Sequence, residues 1–230
     1  MPSNLLFLPG LLCDAHLWHH QAEALAGAHT IHIADLTQDD TIQAMAARTL
    51  ASAPAAFTLI ALSMGGYVAF EILRQAPSRV TKLILLDTSA SLDTPDKVTK
   101  RKAGIASLKL GRFMGVTNSL LPNLIHPKHI GQAVGDDVKA MALRVGGEAY
   151  IRQQTAILNR PDSHPTLPTI TVPTLIGVGD SDLITPLPEA QAMHAAIPHA
   201  TLHVFNQCGH LPPLENPEET TTLIQTFLTA

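Results

Sequence analysis

Apolar residues along this chain fall into short runs, separated by longer stretches where they recur every three or four positions. The short runs are Asn4–Leu8, Thr30–Ala34, Phe57–Leu62, Lys82–Asp87, Thr174–Val178 and Thr201–Phe205, and each predicts a strand. Helical spacing predicts helices at Trp18–Leu25, Thr41–Ser52, Met64–Gln75, Leu187–Ala196 and Pro217–Leu228. In the third of these, Val68, Ala69, Ile72, Leu73 and Ala76 share one face, which should pack on a sheet. Strands alternate with helices, and the strands are almost wholly aliphatic. That combination predicts an α/β fold, a mostly parallel sheet with helices on both faces.

Residues 89–168 break the rhythm. No buried strand stands out there, and Gly104, Gly111, Gly115, Pro122, Pro127, Gly131, Gly135, Gly146 and Gly147 punctuate helical stretches. Asn159–Pro165 reads as a rigid loop that returns the chain to the sheet. The expected organisation is therefore one domain of 230 residues, with a core of 1–88 and 169–230 and a helical insertion at about 89–168. Because the insertion starts directly after a strand end, it is expected to lie over the carboxyl ends of the strands as a lid. Ligands bind at that edge of open α/β sheets. The plainer alternative is a subdomain that only decorates the fold.

One strand end carries chemistry. Leu59-Ile60-Ala61-Leu62 runs into Ser63-Met64-Gly65-Gly66, and a helical pattern follows at once. Small residues at 61, 65 and 66 suit a sharp strand-to-helix turn, where two backbones approach closely. Glycines in a first helical turn cost roughly 1 kcal/mol each relative to alanine, so they need a packing reason. Such a turn would expose the Ser63 hydroxyl and aim the Met64 N–H at a developing oxyanion. The competing reading is an ordinary helix N-cap, for which serine is well suited. Alanine at 61 departs from the more usual G-x-S-x-G spacing, and is the next smallest choice.

A nucleophilic serine needs a base. Of twelve histidines, His210 in Asn206-Gln207-Cys208-Gly209-His210-Leu211-Pro212 follows the last predicted strand, which places it at the same sheet edge as Ser63. The base needs a carboxylate to orient it. Asp182 and Asp180 lie past the penultimate strand and Asp87 ends the fourth, so all three lie at the right edge. The order Ser63, Asp182, His210 is that of a hydrolase built on a nucleophile elbow, and selects Asp182.

With these residues in place, the chain resembles the α/β-hydrolase family over nearly its whole length, in particular its serine carboxylesterases. The family's acid loop G-x-x-D-x-x-x-P matches Gly179, Asp182 and Pro186, its terminal G-H matches Gly209 and His210, and its elbow matches Ser63. Its H-G-x loop after the first core strand matches Pro9-Gly10-Leu11, with proline in place of histidine. The resemblance implies catalysis by Ser63, Asp182 and His210, with the backbone N–H groups of Leu11 and Met64 as oxyanion hole. It implies hydrolysis of a small carboxylic ester through an acyl-enzyme, with no cofactor and no metal. Lactonases, thioesterases and carbon–carbon bond hydrolases share the fold and remain alternatives, as does a non-catalytic small-molecule-binding member. The glycine-rich stretch often seen after the second core strand is missing, as are the N-terminal antiparallel strands, so a smaller sheet is expected.

Composition narrows this further. A formal charge of −4 without a basic stripe argues against a nucleic-acid partner. No apolar run reaches 18 residues, so no membrane span is expected. Two cysteines, Cys13 and Cys208, make no disulfide framework, and the N-terminus lacks a leader pattern, so a cytoplasmic location is expected. His16, His19 and His20 lack the acidic partner and third ligand of a common zinc motif. No Gly-rich phosphate loop with a lysine is present. Trp18 is read as packing. Substrate identity and oligomeric state are not set by the sequence.

Overall fold

Strand β3 (Phe57–Leu62) is buried at every position, which only a strand covered on both faces and flanked on both sides can be. The computed structural model describes residues 3–111 and 113–230. With β1 (Asn4–Leu8), β2 (Thr30–Ile33), β4 (Val80–Leu86), β5 (Thr174–Gly179) and β6 (Thr201–Phe205), it forms one sheet in the order β2-β1-β3-β4-β5-β6. Every pairing is parallel. The chain leaves β1 first to one side, for β2, and then returns to the other side, for β3. The direction of winding therefore reverses between β1 and β3, and the loops after those two strands open the crevice where such sheets bind ligands. Gly10 follows β1 and Ser63 follows β3.

The helices are α1 (His19–Leu25), α2 (Ile42–Ser52), α3 (Met64–Gln75), α4 (Pro95–Leu110), α5 (Ala133–Leu158), α6 (Leu187–Ala196), α7 (Pro212–Glu215) and α8 (Pro217–Thr229). Alternate residues of β3 feed two cores. Leu59 and Ala61 join Met45, Val68, Ile72 and Met193 beneath α2, α3 and α6. Ile60 and Leu62 join Trp18, Leu25 and Ile224 beneath α1 and α8. Each fully buried aliphatic or aromatic side chain contributes about 1.5–3 kcal/mol, so the double coat is what holds the strand ends in place.

The strand and helix boundaries depart from expectation by a residue or two. β4 begins at Val80, where a register shift opposite Phe57/Thr58 lets the strand start early, and ends at Leu86. Ala15–Trp18 form a 3-10 turn capped by Asp14, so α1 starts one residue late, at His19. A larger difference concerns α3: every residue from Met64 to Leu73 is buried, not one face alone. Glu71 is tolerated in this run because Arg74 Nε donates to its Oε2 at 2.8 Å and Gln75 Nε2 to its Oε1 at 2.9 Å. Between β4 and β5 the chain folds as α4, two short 3-10 turns, α5, which is kinked at Gly146, where φ is +80°, and a third 3-10 segment at His164–Thr169. Among the described residues, no helix is long and apolar enough to cross a membrane.

Candidate active site

Ser63 has φ +55° and ψ −117°, a conformation that costs a non-glycine residue about 1–3 kcal/mol and survives only where the surroundings enforce it. They do so here. Ser63 N donates to Leu86 O at 3.0 Å, and Ser63 O accepts from Gly66 N at 2.9 Å and from Thr88 Oγ1 at 2.7 Å. The paired glycines answer to close approach: a Cβ on Gly65 would strike Leu8 O, and one on Gly66 would strike the Thr88 side chain. The turn therefore packs backbone to backbone against β1. Gly10 completes the contact, since a Cβ there would lie 3.3 Å from Ser63 Cβ.

The structure brings Ser63, His210 and Asp182 into one relay. Ser63 Oγ lies 2.8 Å from His210 Nε2, and His210 Nδ1 lies 2.8 Å from Asp182 Oδ2. Because Nδ1 faces a carboxylate it carries the proton, which leaves Nε2 free to accept from the serine. Asp182 also accepts from Ile184 N at 2.7 Å, Thr185 N at 3.2 Å and Thr185 Oγ1 at 2.7 Å. Burial pushes the Asp182 carboxyl up, but the adjacent His210, the Thr185 hydroxyl and the Ile184 N–H outweigh it and hold it well below the usual carboxylate range. Asp182 is thus an anion fixed against the imidazole.

Of the two residues expected to hold an oxyanion, Leu11 lines the same cavity as Ser63. Met64 is the first residue of α3, where a backbone N–H has no intrahelical acceptor. The cavity has a volume of about 490 Å³, and Ser63 and His210 lie in its wall. Leu62, Val116, Leu124, Val138 and Met141 make most of the lining apolar, and α4 and α5 contribute Lys97, Arg101, Tyr150 and Gln154.

The two other candidate acids have distinct places. Asp180 lies outside the relay and accepts from Gln207 N at 2.8 Å and Cys208 N at 3.1 Å, so it braces the loop before His210. Asp87 is buried with φ +43°, and its Oδ1 accepts from Gly179 N at 2.9 Å. Its Oδ2 has no partner, although Asp87, Asp182 and His210 bring their side-chain polar atoms within 4.8 Å of one another. Burial first, and then the charge of Asp182, push the Asp87 carboxyl well above its ordinary value. With one donor against four, the site favours protonation at Asp87 and the charge at Asp182.

A residue absent from the sequence reading is Glu215, buried just after the prolines that follow His210. Its carboxylate accepts from Gly209 N at 3.0 Å, Leu211 N at 3.0 Å and His126 N at 2.7 Å, and so clamps both neighbours of the histidine. The signal is an acidic residue directly after the apolar run Leu211–Leu214. Cys13 lines the cavity, and burial, reinforced by Asp14, pushes its thiol up to about 12. Cys208 is buried, and burial likewise raises its thiol. Neither is a thiolate nucleophile. Trp18 packs on Phe7 with ring centroids 5.0 Å apart. His16 and His19 stack at 4.2 Å, with His19 Nδ1 turned to His16 O at 2.7 Å, so these rings do not converge on a common point.

Known proteins carry the same architecture. A thermophilic esterase from Thermogutta terrifontis, in a malate-bound structure, superposes with a TM-score of 0.88 at 29% identity, over 100% of this chain and 90% of that one. The enol-lactonase of Burkholderia xenovorans shares the fold, with a TM-score of 0.84 at 20% identity over 100% and 92% of the two chains. The pimeloyl-acyl-carrier-protein methyl ester esterase of Aliivibrio salmonicida is 26% identical, over 98% of this chain and 92% of its own. The model of the alpha/beta hydrolase family matches residues 5–222, and the chain belongs to that family.

Proposed function

We propose that this chain is a serine hydrolase of small carboxylic esters, acting through an acyl-enzyme. The observation that carries the reading is the unbroken relay from Ser63 Oγ through His210 to Asp182, set in the wall of a largely apolar cavity. Ser63 Oγ attacks the ester carbonyl carbon while His210 Nε2 takes its proton. Asp182 holds the ring and its positive charge. The N–H groups of Leu11 and Met64 hold the oxyanion. As the tetrahedral intermediate collapses, the C–O bond to the alcohol breaks and His210 returns the proton to the departing oxygen. A water then attacks the acyl-enzyme with His210 again as base, which releases the acid and restores Ser63. Losing one oxyanion donor in such chemistry costs roughly a hundredfold or more in kcat.

The relatives support an ester with a small alcohol and a longer acyl chain, since the Aliivibrio protein is named for a methyl ester of an acyl chain. The aliphatic lining around Val116, Val138 and Met141 suits such a chain. The α4–α5 segment acts as the lid over it. Two buried free thiols fit a reducing compartment, the cytoplasm. A panel of esters, thioesters and lactones of varied acyl length tests the reading, with Ser63→Ala protein as blank. Turnover of esters by the wild type alone is the expected result. Equal rates with the blank would overturn it.

A further inference from the structure

The α4 side of the cavity is electrostatically one-sided. Lys97, Lys100 and Arg101 line the cavity, while no aspartate or glutamate does among the described residues, in a chain whose net charge is −4. Positions 97, 100 and 101 are spaced i, i+3 and i+4, so the three side chains share one face of α4. Two are held in place and still have donors to offer. Lys97 Nζ donates to Ile184 O at 3.0 Å, which uses one of its three N–H groups. Arg101 donates to Asp93 through Nε and Nη2 and to Gln154 Oε1 through Nη1, which leaves two of its five. Asp93 does not neutralise the cluster, because it is shared with Arg160, whose Nη2 donates to it at 3.0 Å. No carboxylate lies within ion-pair distance of Lys97 or Lys100 among the described residues. Cations gathered on one wall of a largely apolar cavity favour an anion there.

We propose that this face of α4 is a carboxylate subsite, selecting esters that carry a negative charge remote from the scissile bond. The proposal rests on the ester-hydrolase reading above and names the class of ester. The substrate is then a half-ester of a dicarboxylic acid, with the free carboxylate on the acyl side, or an ester whose alcohol bears the carboxylate. Lys97 and Arg101 supply fixed donors, and Lys100 supplies a charge with no carboxylate within ion-pair distance among the described residues.

The test compares 4-nitrophenyl hemiglutarate with 4-nitrophenyl valerate for the acyl side, and 4-acetoxybenzoate with 4-acetoxybenzamide for the alcohol side. In each pair, kcat/KM is measured for wild type, Lys100→Gln, Lys97→Gln/Lys100→Gln and Lys102→Gln, an exposed cation outside the cavity wall. The expected result is a preference for the charged member of one pair. That preference falls about fivefold on loss of each lysine, the scale of a solvent-screened ion pair, and falls also with added salt. Lys102→Gln leaves it in place. Glutarate titrated calorimetrically into wild type and the double variant gives a readout independent of turnover, with binding to wild type and loss in the variant expected. Charged and neutral esters consumed alike by all four proteins, or glutarate binding wild type and double variant equally or neither, would overturn the subsite. If glutarate binds as expected but no ester is turned over, the ester-hydrolase reading fails and the carboxylate site stands.

Discussion

Asparagine at position 87 should stabilise the protein increasingly as pH rises. Asp87 is buried, has one N–H donor, and sits beside an Asp182 that keeps its charge through four donors. Its folded-state pKa is raised well above the ordinary value, first by burial and then by Asp182. A raised carboxyl pKa means that the native state holds a proton which the unfolded chain has already released above about pH 4. Native stability therefore falls with rising pH through that window, by about 1.4 kcal/mol per unit, until the folded-state pKa is passed. Asparagine is neutral throughout, keeps an oxygen for the Gly179 N–H, and offers an N–H where the Asp87 proton would be. The stability difference between Asp87→Asn and wild type should be smallest near pH 4, grow at that slope, and then level off. Urea unfolding followed by the fluorescence of Trp18, the single tryptophan, measures it at successive pH values. Parallel pH profiles for the two proteins would refute the assignment of the proton to Asp87.

Asp182→Asn should lower kcat about 10⁴-fold, roughly 5 kcal/mol of barrier, while Asp87→Asn keeps most activity. The reverse order in ester assays would move the acid to Asp87, just past β4. Gly65→Ala should cost about 1–3 kcal/mol, read as a lower melting temperature, because its Cβ meets the Leu8 carbonyl where neither backbone can yield. Glu215→Ala should lower stability by about 1–3 kcal/mol for each buried N–H left unpaired, and should reduce kcat more than KM by loosening His210. An unchanged kcat in a folded Glu215→Ala protein would show that the clamp is dispensable.

Period and punctuation alone located the six strands and the helices that pack on them, because those elements are made by local patterns repeated over several residues. Ser63 was legible for the same reason: the small residues required by its turn are its own neighbours in sequence. Asp182 and His210 could be placed at the right sheet edge, since each follows a strand. What periodicity could not carry was the support between distant segments. Asp180 read as a spare acid, yet it ties down Gln207 and Cys208, and Glu215 went unremarked although it holds Gly209, Leu211 and His126. The bounds of α4 and α5 were not visible either. Glycines punctuate the segment, and Gly146 breaks α5 in the middle without ending it. The burial of every residue from Met64 to Leu73 in α3 depends on neighbours that its own sequence does not name.

The proposed reaction requires Ser63, activated by His210, as its nucleophile. Brief treatment with a fluorophosphonate followed by intact-mass and peptide mass spectrometry tests it directly. One adduct per chain on the peptide bearing Ser63, absent in Ser63→Ala and strongly slowed in His210→Ala, is the predicted result. Labelling elsewhere, or labelling of Ser63 at the same rate without His210, would rule out that role for Ser63.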